Sequence, residues 1–429
     1  MKSEKQASAG LTAQQIYAKK EKYYKRNFIA LCMESFFFTC ALSMFSAENV
    51  LPAYVENLSD KTWHIALISV INYGISYGMT IFSCPIGVGA KSPKWTSVAI
   101  CFLQRVGFLF IFISTYTVTR SRGLALVIFF LSLSSYAFSA GMSTPLFNQM
   151  VSVSICKNIS SFYGAYQLSG MASSVIGSLI FTRFLTKYSF PKDFRMTFLV
   201  GLVCALMATL VVCVGVREVT DDRVPEKIHI RDVFPISRML MRENPEFKHF
   251  VIVRVLLGAA EFAIPYYIIV ASSKTGAPEG FVGILTTIYL IAKMISSVIT
   301  GRIGDKIGPL GAICFSCIFG ILAAVLAIVS TSWQVSILMY ILLAFAVNGI
   351  IVANYASTNA YTGGRSQYVP ICSATVNLLC APLYILVAFG GAAIAQKFSY
   401  SAMFAVALIV YLTGAVLSFY FLRKDRLSK

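Results

Sequence analysis

Long apolar runs separated by short polar segments dominate the sequence. Twelve of these runs reach the roughly 20 mostly apolar residues that an α-helix needs to cross the hydrocarbon core of a bilayer. The pattern therefore predicts an all-α membrane protein with twelve transmembrane helices. The runs lie at about 28–50, 63–84, 95–116, 123–145, 162–185, 194–216, 249–271, 280–300, 309–330, 334–357, 370–395 and 399–421.

The longest polar interruption, at 217–248, falls near the middle of the chain and leaves six apolar runs on each side. It contains three prolines and seven basic residues, which is typical of a cytoplasmic linker with a short surface helix. Six runs on each side predict two pseudo-symmetric six-helix bundles related by an axis along the membrane normal. The expected parts are a basic tail at 1–27, bundles at 28–216 and 249–421, the linker between them, and a basic tail at 422–429.

Composition supports the membrane assignment. Hydrophobic residues make up 57% of the chain, charged residues 13%, and the mean hydropathy is +0.73. A soluble domain carries about 25% charged residues because its surface faces water. This chain lacks such a charged shell, so most of its surface is expected to face lipid.

The distribution of basic residues predicts the topology. Of the 36 Lys and Arg residues, 24 fall in the segments that share a side with both termini, and 8 fall in the opposite loops. This bias follows the positive-inside rule and places both termini in the cytoplasm. The net charge of +18 is spread over these loops, so we expect no nucleic-acid partner. We expect a bacterial-type plasma membrane.

The segment between the eighth and ninth runs carries a recognisable motif. It reads Gly301-Arg302-Ile303-Gly304-Asp305-Lys306-Ile307-Gly308 and resembles the G-x-x-x-D-[RK]-x-G signature of the major facilitator superfamily. The resemblance implies a twelve-helix transporter and assigns Gly301, Arg302, Asp305, Lys306 and Gly308 to a gate that holds the cytoplasmic side closed. Asp305 is expected to accept hydrogen bonds from backbone N–H groups at a neighbouring helix start. The alternative is a tight charged turn that only fixes topology.

Other segments depart from this family's patterns. The corresponding link in the first half, at 85–94, keeps its glycines and lysines but has no acidic residue. The fifth run lacks the Gly-Pro pair of drug–proton antiporters, and the fourth lacks their buried arginine. These differences argue against a symmetric gate and against a standard multidrug antiporter.

Ionisable residues inside the apolar runs are candidates for function because each costs about 2.5–3.5 kcal/mol near a helix centre on insertion scales. Glu34 and Arg254 both lie about 8–9 Å from the cytoplasmic start of their runs. In the resembled family, the first and seventh helices are counterparts that line the central cavity. One hypothesis is an ion pair between Glu34 and Arg254 that breaks when Glu34 binds a proton. The other is that each residue pairs with a partner in its own half of the chain.

Glu261 lies near the predicted bilayer midplane and is followed by Pro265, Tyr266 and Tyr267. Proline can interrupt a helix where it lines a cavity, and tyrosines supply hydroxyl groups and ring faces. We expect Glu261 to bind a proton or the substrate, the alternative being a neutral carboxyl in a structural hydrogen bond. Arg105, in the third run, could bind an anionic substrate or pair with an acid.

Uncharged polar residues cluster at the end of the fourth run and within the tenth. These groups suit a hydroxylated or amphipathic solute, although amides also join neighbouring membrane helices. The candidates are Asn148, Gln149, Asn348, Asn354 and Tyr355.

These features favour a secondary active transporter that moves a small organic solute by alternating access, driven by protons. The alternatives are an efflux protein for amphipathic drugs or lipids and a sensor with the same fold. The three histidines of the chain are far apart and form no catalytic set, so we expect no enzyme. The sequence has no repeated filter loop, which argues against a channel. Neither a cofactor nor a metal is expected, and the family suggests a monomer.

Overall fold

The structure is a computed structural model that describes residues 13–47, 50–59, 61–219, 226–260, 263–273, 281–330, 332–362, 365–397 and 399–427. The described chain is helical almost throughout and separates into two compact units. Unit 1 comprises described residues of Met1–Lys157, Ser173–Val233 and Arg365–Ile371, and unit 2 those of Asn158–Ala172, Phe234–Gly364 and Cys372–Lys429.

Nine α-helices cover the described residues of the first half of the chain. The second of the predicted runs consists of several short helices, joined by a π-helix at Val70–Ile75 and a 3₁₀ turn at Thr80–Phe82. The α-helices are α1 Ala13–Met44, α2 Val50–Glu56, α3 Thr62–Ser69, α4 Ser76–Met79, α5 Ser83–Val88, α6 Pro93–Thr117, α7 Arg122–Ser154, α8 Ile159–Lys187 and α9 Lys192–Gly215.

Seven α-helices follow in the part of the second half that the structure describes. They are α10 Val233–Glu243, α11 Pro245–Gly258, α12 Ile264–Ser273, α13 Phe281–Val329, α14 Trp333–Ala360, α15 Val369–Lys397 and α16 Tyr400–Leu427. Helix α10 confirms the short helix expected in the central linker. Helix α13 contains two predicted runs and is interrupted at Gly308, where φ is 82°.

Local sequence explains where several of these helices begin. The side chain of Ser92 accepts a hydrogen bond from the backbone N–H of Trp95, and Pro93 occupies the first helical position of α6. Asn244 and Pro245 play the same roles at the start of α11. A polar cap followed by proline satisfies a free N–H and fixes φ near its helical value.

Aromatic residues form much of the core of unit 1. Phe45 stacks on Phe108 at a centroid distance of 4.2 Å and on Phe198 at 5.0 Å. The hydroxyl of Tyr54 is 2.9 Å from that of Ser114, so its polar atom is satisfied inside this apolar cluster. The cluster joins α1, α2, α6 and α9 and holds the elements around the first-half candidate residues.

The outer surface is apolar. Leu131 is 67% exposed, and Val214, Ile409 and Val416 are also among the exposed large apolar residues. Eight described helices are long and apolar enough to cross a membrane. A water-facing surface of this kind would be costly, whereas lipid accommodates it, so the predicted all-α membrane fold is confirmed.

Two of the predicted runs are not single helices. The run at 249–271 breaks after Gly258 and resumes at Ile264, with Pro265 in the first turn of α12. The run at 63–84 contains the π-helix and the 3₁₀ turn described above. Hydropathy measures lipid compatibility and not backbone hydrogen bonding, so the apolar pattern gave no sign of the break in the run at 63–84, whereas Pro265 is consistent with the break in the run at 249–271.

Candidate functional site

The motif at 301–308 lies in unit 2, and most of it is helical. The sequence suggested a turn, but α13 continues to Ile307 and changes direction only at Gly308. The positive φ of Gly308 and the proline after it are typical of a helix end followed by a new helix start. Arg302, Asp305 and Lys306 are exposed at this end.

Asp305 binds the start of α8. Its Oδ1 accepts a hydrogen bond from the backbone N–H of Ser160 at 2.8 Å, and its Oδ2 accepts one from Ser161 at 3.0 Å. A carboxylate at a helix N-terminus satisfies free N–H groups and interacts favourably with the helix dipole. The hydrogen bonds predicted for Asp305 are therefore present, and they join α13 to α8 within unit 2.

Glycines make this helix contact possible. A Cβ atom added to Gly164 would lie 2.3 Å from the carbonyl oxygen of Ser297, and one added to Gly301 would lie 2.7 Å from that of Ser160. Both contacts involve backbone atoms, which cannot move aside easily. Glycine at these positions allows α8 and α13 to approach closely, as small residues do at membrane helix interfaces.

A column of polar and aromatic side chains extends along α14 in unit 2. Asn348 is buried and donates from Nδ2 to the carbonyl oxygen of Lys293 at 3.0 Å and to the hydroxyl of Ser297 at 2.7 Å. Further along α14, Tyr355 stacks on Tyr163 with a centroid distance of 5.5 Å. These contacts place two of the predicted residues beside α8 and α13.

Asn359 extends the same column. Its Nδ2 donates to the hydroxyl of Tyr163 at 2.9 Å. The Oδ1 atoms of Asn348, Asn354 and Asn359 are buried and have no hydrogen-bond partner among the described residues. Buried amide oxygens without partners are costly, and a polar ligand or water would satisfy them.

Glu34 and Arg105 line one small cavity in unit 1. They are 4% and 3% exposed, and the cavity of about 10 Å³ has room for about one water molecule. Arg105 donates to the carbonyl oxygens of Ala205 at 3.2 Å and Cys101 at 3.1 Å. Its guanidinium also donates to the side chain of Gln104 at 2.6 Å.

One of the two remaining first-half candidates, Gln149, contacts the link at 85–94. Gln149 is buried, and its Nε2 donates to the carbonyl oxygen of Gly87 at 2.8 Å. Asn148 is also buried on α7. A Cβ atom on Gly87 would lie 2.4 Å from Pro370, so this link packs closely on the start of α15.

The structure places the seventh-run candidates on both sides of its break. Arg254 is buried on α11, and Tyr266 and Tyr267 lie on α12. Tyr267 is 1% exposed and packs against Phe404 at 4.7 Å between ring centroids. Glu261 lies outside the described residues. Glu34 belongs to unit 1 and Arg254 to unit 2, and their pairing stays a prediction.

Sequence reasoning missed three contributors to these contacts. Tyr163, Ser297 and Asn359 each join helices in unit 2. A signal was present for Asn359, because positions 348, 355 and 359 fall on one face of an α-helix. The partner residues on α8 and α13 carry no comparable signal, since they come from distant parts of the chain.

Comparison with known proteins supports this architecture. The sequence model of the Major Facilitator Superfamily matches residues 250–429. Multidrug resistance protein MdtG of Escherichia fergusonii is 25% identical over 417 residues, covering 94% of this chain and 96% of that protein. The MdtG of Serratia proteamaculans is also 25% identical, over 410 residues that cover 94% of this chain and 95% of that one.

Solved transporter structures share the fold. A variant of the Escherichia coli fucose:proton symporter FucP superposes with a TM-score of 0.71 at 13% identity, covering 92% of this chain and 98% of that one. An outward-facing bacterial homologue of the iron transporter ferroportin gives 0.70 at 11% identity, with the same coverage.

Together these matches define the class of protein as a membrane-embedded secondary transporter and not an enzyme. The resemblance carried by the motif at 301–308 is confirmed: the Major Facilitator Superfamily model matches the second half of the chain, and transporters are similar over more than 90% of it.

Proposed function

We propose that this secondary transporter couples the movement of a small organic solute to the movement of protons, and that Glu34 is the carboxyl group that binds the proton. The observation that carries the proposal is the burial of Glu34 on α1 beside a water-sized cavity. An ionisable group inside a membrane helix is costly, and such groups mark proton relays and substrate pathways.

The surroundings of Glu34 suit a change of charge. Arg105 lines the same cavity, so one acidic and one basic side chain share it. The guanidinium also holds Ala205, Cys101 and Gln104 through hydrogen bonds that do not involve Glu34. Protonation of Glu34 therefore leaves those three hydrogen bonds in place. Arg105 keeps these acceptors when Glu34 loses its negative charge.

The polar column in unit 2 supplies a candidate for substrate recognition. Asn348 and Asn354 present buried amide oxygens, and Tyr355 adds a ring face. Amide and aromatic groups together recognise a solute that carries hydrogen-bond donors on an apolar or ring-shaped body. Arg254, Glu261, Tyr266 and Tyr267 remain proposed contributors from the seventh span.

The test measures protons released when a ligand binds to the purified protein. A thermal-shift screen of sugars, amino acids, nucleosides, organic acids and amphipathic cations first provides a ligand, because binding raises the unfolding temperature. The ligand is then added to protein in weakly buffered detergent with a pH-sensitive dye. Wild type and the exposed-acid control Glu56→Gln should show the same pH change, and Glu34→Gln should show none. An unchanged signal in Glu34→Gln would exclude Glu34 as the proton site.

Export of amphipathic compounds is a second candidate, favoured by the 25% identity with MdtG over 94% of this chain. The test is ethidium accumulation in bacterial cells with and without the protein. Export predicts lower accumulation in expressing cells and loss of the difference when a protonophore collapses the proton gradient. Equal accumulation in both cell types would leave the import of a polar solute as the supported direction.

We also propose a bacterial plasma membrane with both termini in the cytoplasm. The distribution of basic residues supports this orientation. Alkaline phosphatase fused to the C-terminus should be inactive and green fluorescent protein fused there should fluoresce, and the opposite pattern would reverse the topology.

A further inference from the structure

A second, highly charged cavity lies in unit 2, apart from the polar column along α14. It has a volume of about 680 Å³ and is formed by α10, the first turn of α11 and the last turns of α16. Its walls include Arg238, Arg242, Lys248 and Lys424, all of which are exposed. We call these four residues the basic cluster.

Among the residues that the structure describes, one acidic residue lines this cavity, and a neighbouring histidine holds it. Asp425 Oδ1 lies 2.9 Å from Nδ1 of His249, and both side chains are largely buried. The imidazole of His249 stacks on Phe421 with a centroid distance of 4.1 Å and an interplanar angle of 5°. Asp425 is therefore fixed against His249, and the described lining combines the four side chains of the basic cluster with one carboxylate.

Backbone electrostatics add to the positive potential. Helix α11 begins at Pro245, which lines the cavity, and its N-terminus carries the positive end of the helix dipole. Glu243 and Glu246 lie on the neighbouring backbone but do not belong to the lining. The cations and the dipole together favour an anion with several acceptor oxygens.

Apolar residues flank the cavity on the same helices. Phe234, at the start of α10, is 63% exposed, and Leu427, at the end of α16, is 80% exposed. Helix α10 is anchored through Ser237, whose hydroxyl is 2.7 Å from that of Thr375. A helix with one anchored face, exposed cations and an exposed aromatic residue is typical of a segment that lies in the membrane interface.

From this arrangement we infer that the basic cluster is a binding site for a phosphate-bearing anion, supplied by an anionic phospholipid headgroup or by a soluble phosphate ester. Arginines bind phosphate oxygens in a bidentate manner, and lysines add point charges. Basic pockets at the cytoplasmic ends of membrane helices suit anionic headgroups. The cavity is large enough for a phosphoglycerol group and opens beside residues that acyl chains would contact.

The experiment uses the purified full chain in a neutral detergent. Unfolding temperature is measured during titration with three probes, namely dioctanoyl-phosphatidylglycerol, glycerol 3-phosphate and inorganic phosphate, with dioctanoyl-phosphatidylcholine as the lipid control. Each anion that binds the folded state raises the unfolding temperature by mass action. The test variant is Arg238→Gln/Arg242→Gln/Lys424→Gln.

Two further variants keep the result interpretable. Arg120→Gln/Arg122→Gln/Lys187→Gln removes the same charge from three exposed positions of unit 1. Arg238→Lys/Arg242→Lys keeps the charge of the basic cluster. All the substituted side chains are exposed, and gel filtration checks that each variant stays monodisperse.

We expect phosphatidylglycerol to stabilise the wild type, the unit 1 control and the lysine variant. The affinity of the cluster variant should fall on the order of 100-fold, because each basic residue near an anionic lipid contributes substantially to binding. Stabilisation by phosphatidylglycerol alone identifies a lipid headgroup, and equal stabilisation by glycerol 3-phosphate or phosphate identifies a soluble ligand. If no anion stabilises the wild type, or if the cluster variant binds as well as the unit 1 control, the inference is wrong.

Discussion

The Oδ1 atom of Asp305 lies 2.8 Å from the backbone nitrogen of Ser160, so the acidic residue of one helix caps the start of another. This contact shows how the motif at 301–308 acts physically within unit 2. Its carboxylate joins α13 to α8 through backbone groups, and the glycines beside it allow the close approach.

Removal of this cap should destabilise the protein. Asp305→Ala eliminates both hydrogen bonds to α8, and loss of an N-terminal cap costs about 0.5–2 kcal/mol. Asp305→Asn keeps one acceptor oxygen but replaces the other with an NH2 donor that faces a backbone N–H, so it loses the charge and one of the two hydrogen bonds and should also destabilise, by about 0.5–2 kcal/mol. Thermal unfolding in detergent measures both, with Glu56→Ala as an exposed-acid control. An unchanged unfolding temperature in Asp305→Ala would show that the contact contributes nothing to stability.

Gly308 provides a test of backbone strain alone. Its φ is 82° and its ψ is 167°, in a region that only glycine occupies readily, and an added Cβ would meet no atom within 4 Å. Gly308→Ala should therefore cost about 1–3 kcal/mol through conformation and not through a clash. Gly74 has equal space around it without a positive φ, and Gly74→Ala is the matched control. Equal unfolding temperatures for the two variants would contradict this explanation.

Gly164 tests the opposite effect, a clash without strain. An added Cβ would lie 2.3 Å from the carbonyl oxygen of Ser297, so α8 and α13 would have to separate. Overpacking of this kind costs about 1–3 kcal/mol. Gly78→Ala, where nothing lies within 4 Å, should be tolerated. A Gly164→Ala protein as stable as Gly78→Ala would mean that the helix contact is looser than described.

The hydrogen bond between Asn359 and Tyr163 should show energetic coupling. Tyr163→Phe keeps the ring stacked on Tyr355 and removes the acceptor that Asn359 uses. A buried polar group left without its partner costs about 1–3 kcal/mol. In a double-mutant cycle with Asn359→Leu, the second substitution should cost less after the first. Additive effects on the free energy of unfolding would show that the two side chains do not interact.

Several of these features could be predicted from sequence because they depend on local patterns. The lengths of the apolar runs predicted the membrane spans. The spacing of glycines around Asp305 indicated a motif whose carboxylate binds the start of a helix. The break near Gly74 could not be predicted, since hydropathy does not report backbone geometry, whereas Pro265 was a signal for the break after Gly258. Contacts between residues that are far apart in the sequence could not be predicted either.

The candidate residues illustrate the same limit. Burial of Glu34 and Arg105 was expected from their positions in apolar runs, but nothing local indicated that they line one cavity. Likewise, Gln149 was a candidate for substrate binding, and its contact with Gly87 depends on residues 62 positions apart. Contacts between distant segments are set by helix packing, which the sequence pattern of one helix does not reveal.

The central claim is that Glu34 couples transport to protons. The most direct test compares net transport of the ligand with its exchange across the membrane. Proteoliposomes containing wild type, Glu34→Gln or Glu56→Gln are loaded with the ligand found by thermal shift. Movement of labelled ligand is then followed with a pH gradient and, separately, at equal pH with ligand on both sides. We expect Glu34→Gln to lose gradient-driven accumulation and to keep exchange, because a permanently neutral side chain still permits the loaded protein to change conformation. Gradient-driven accumulation by Glu34→Gln at the level of wild type and Glu56→Gln would contradict the proposal.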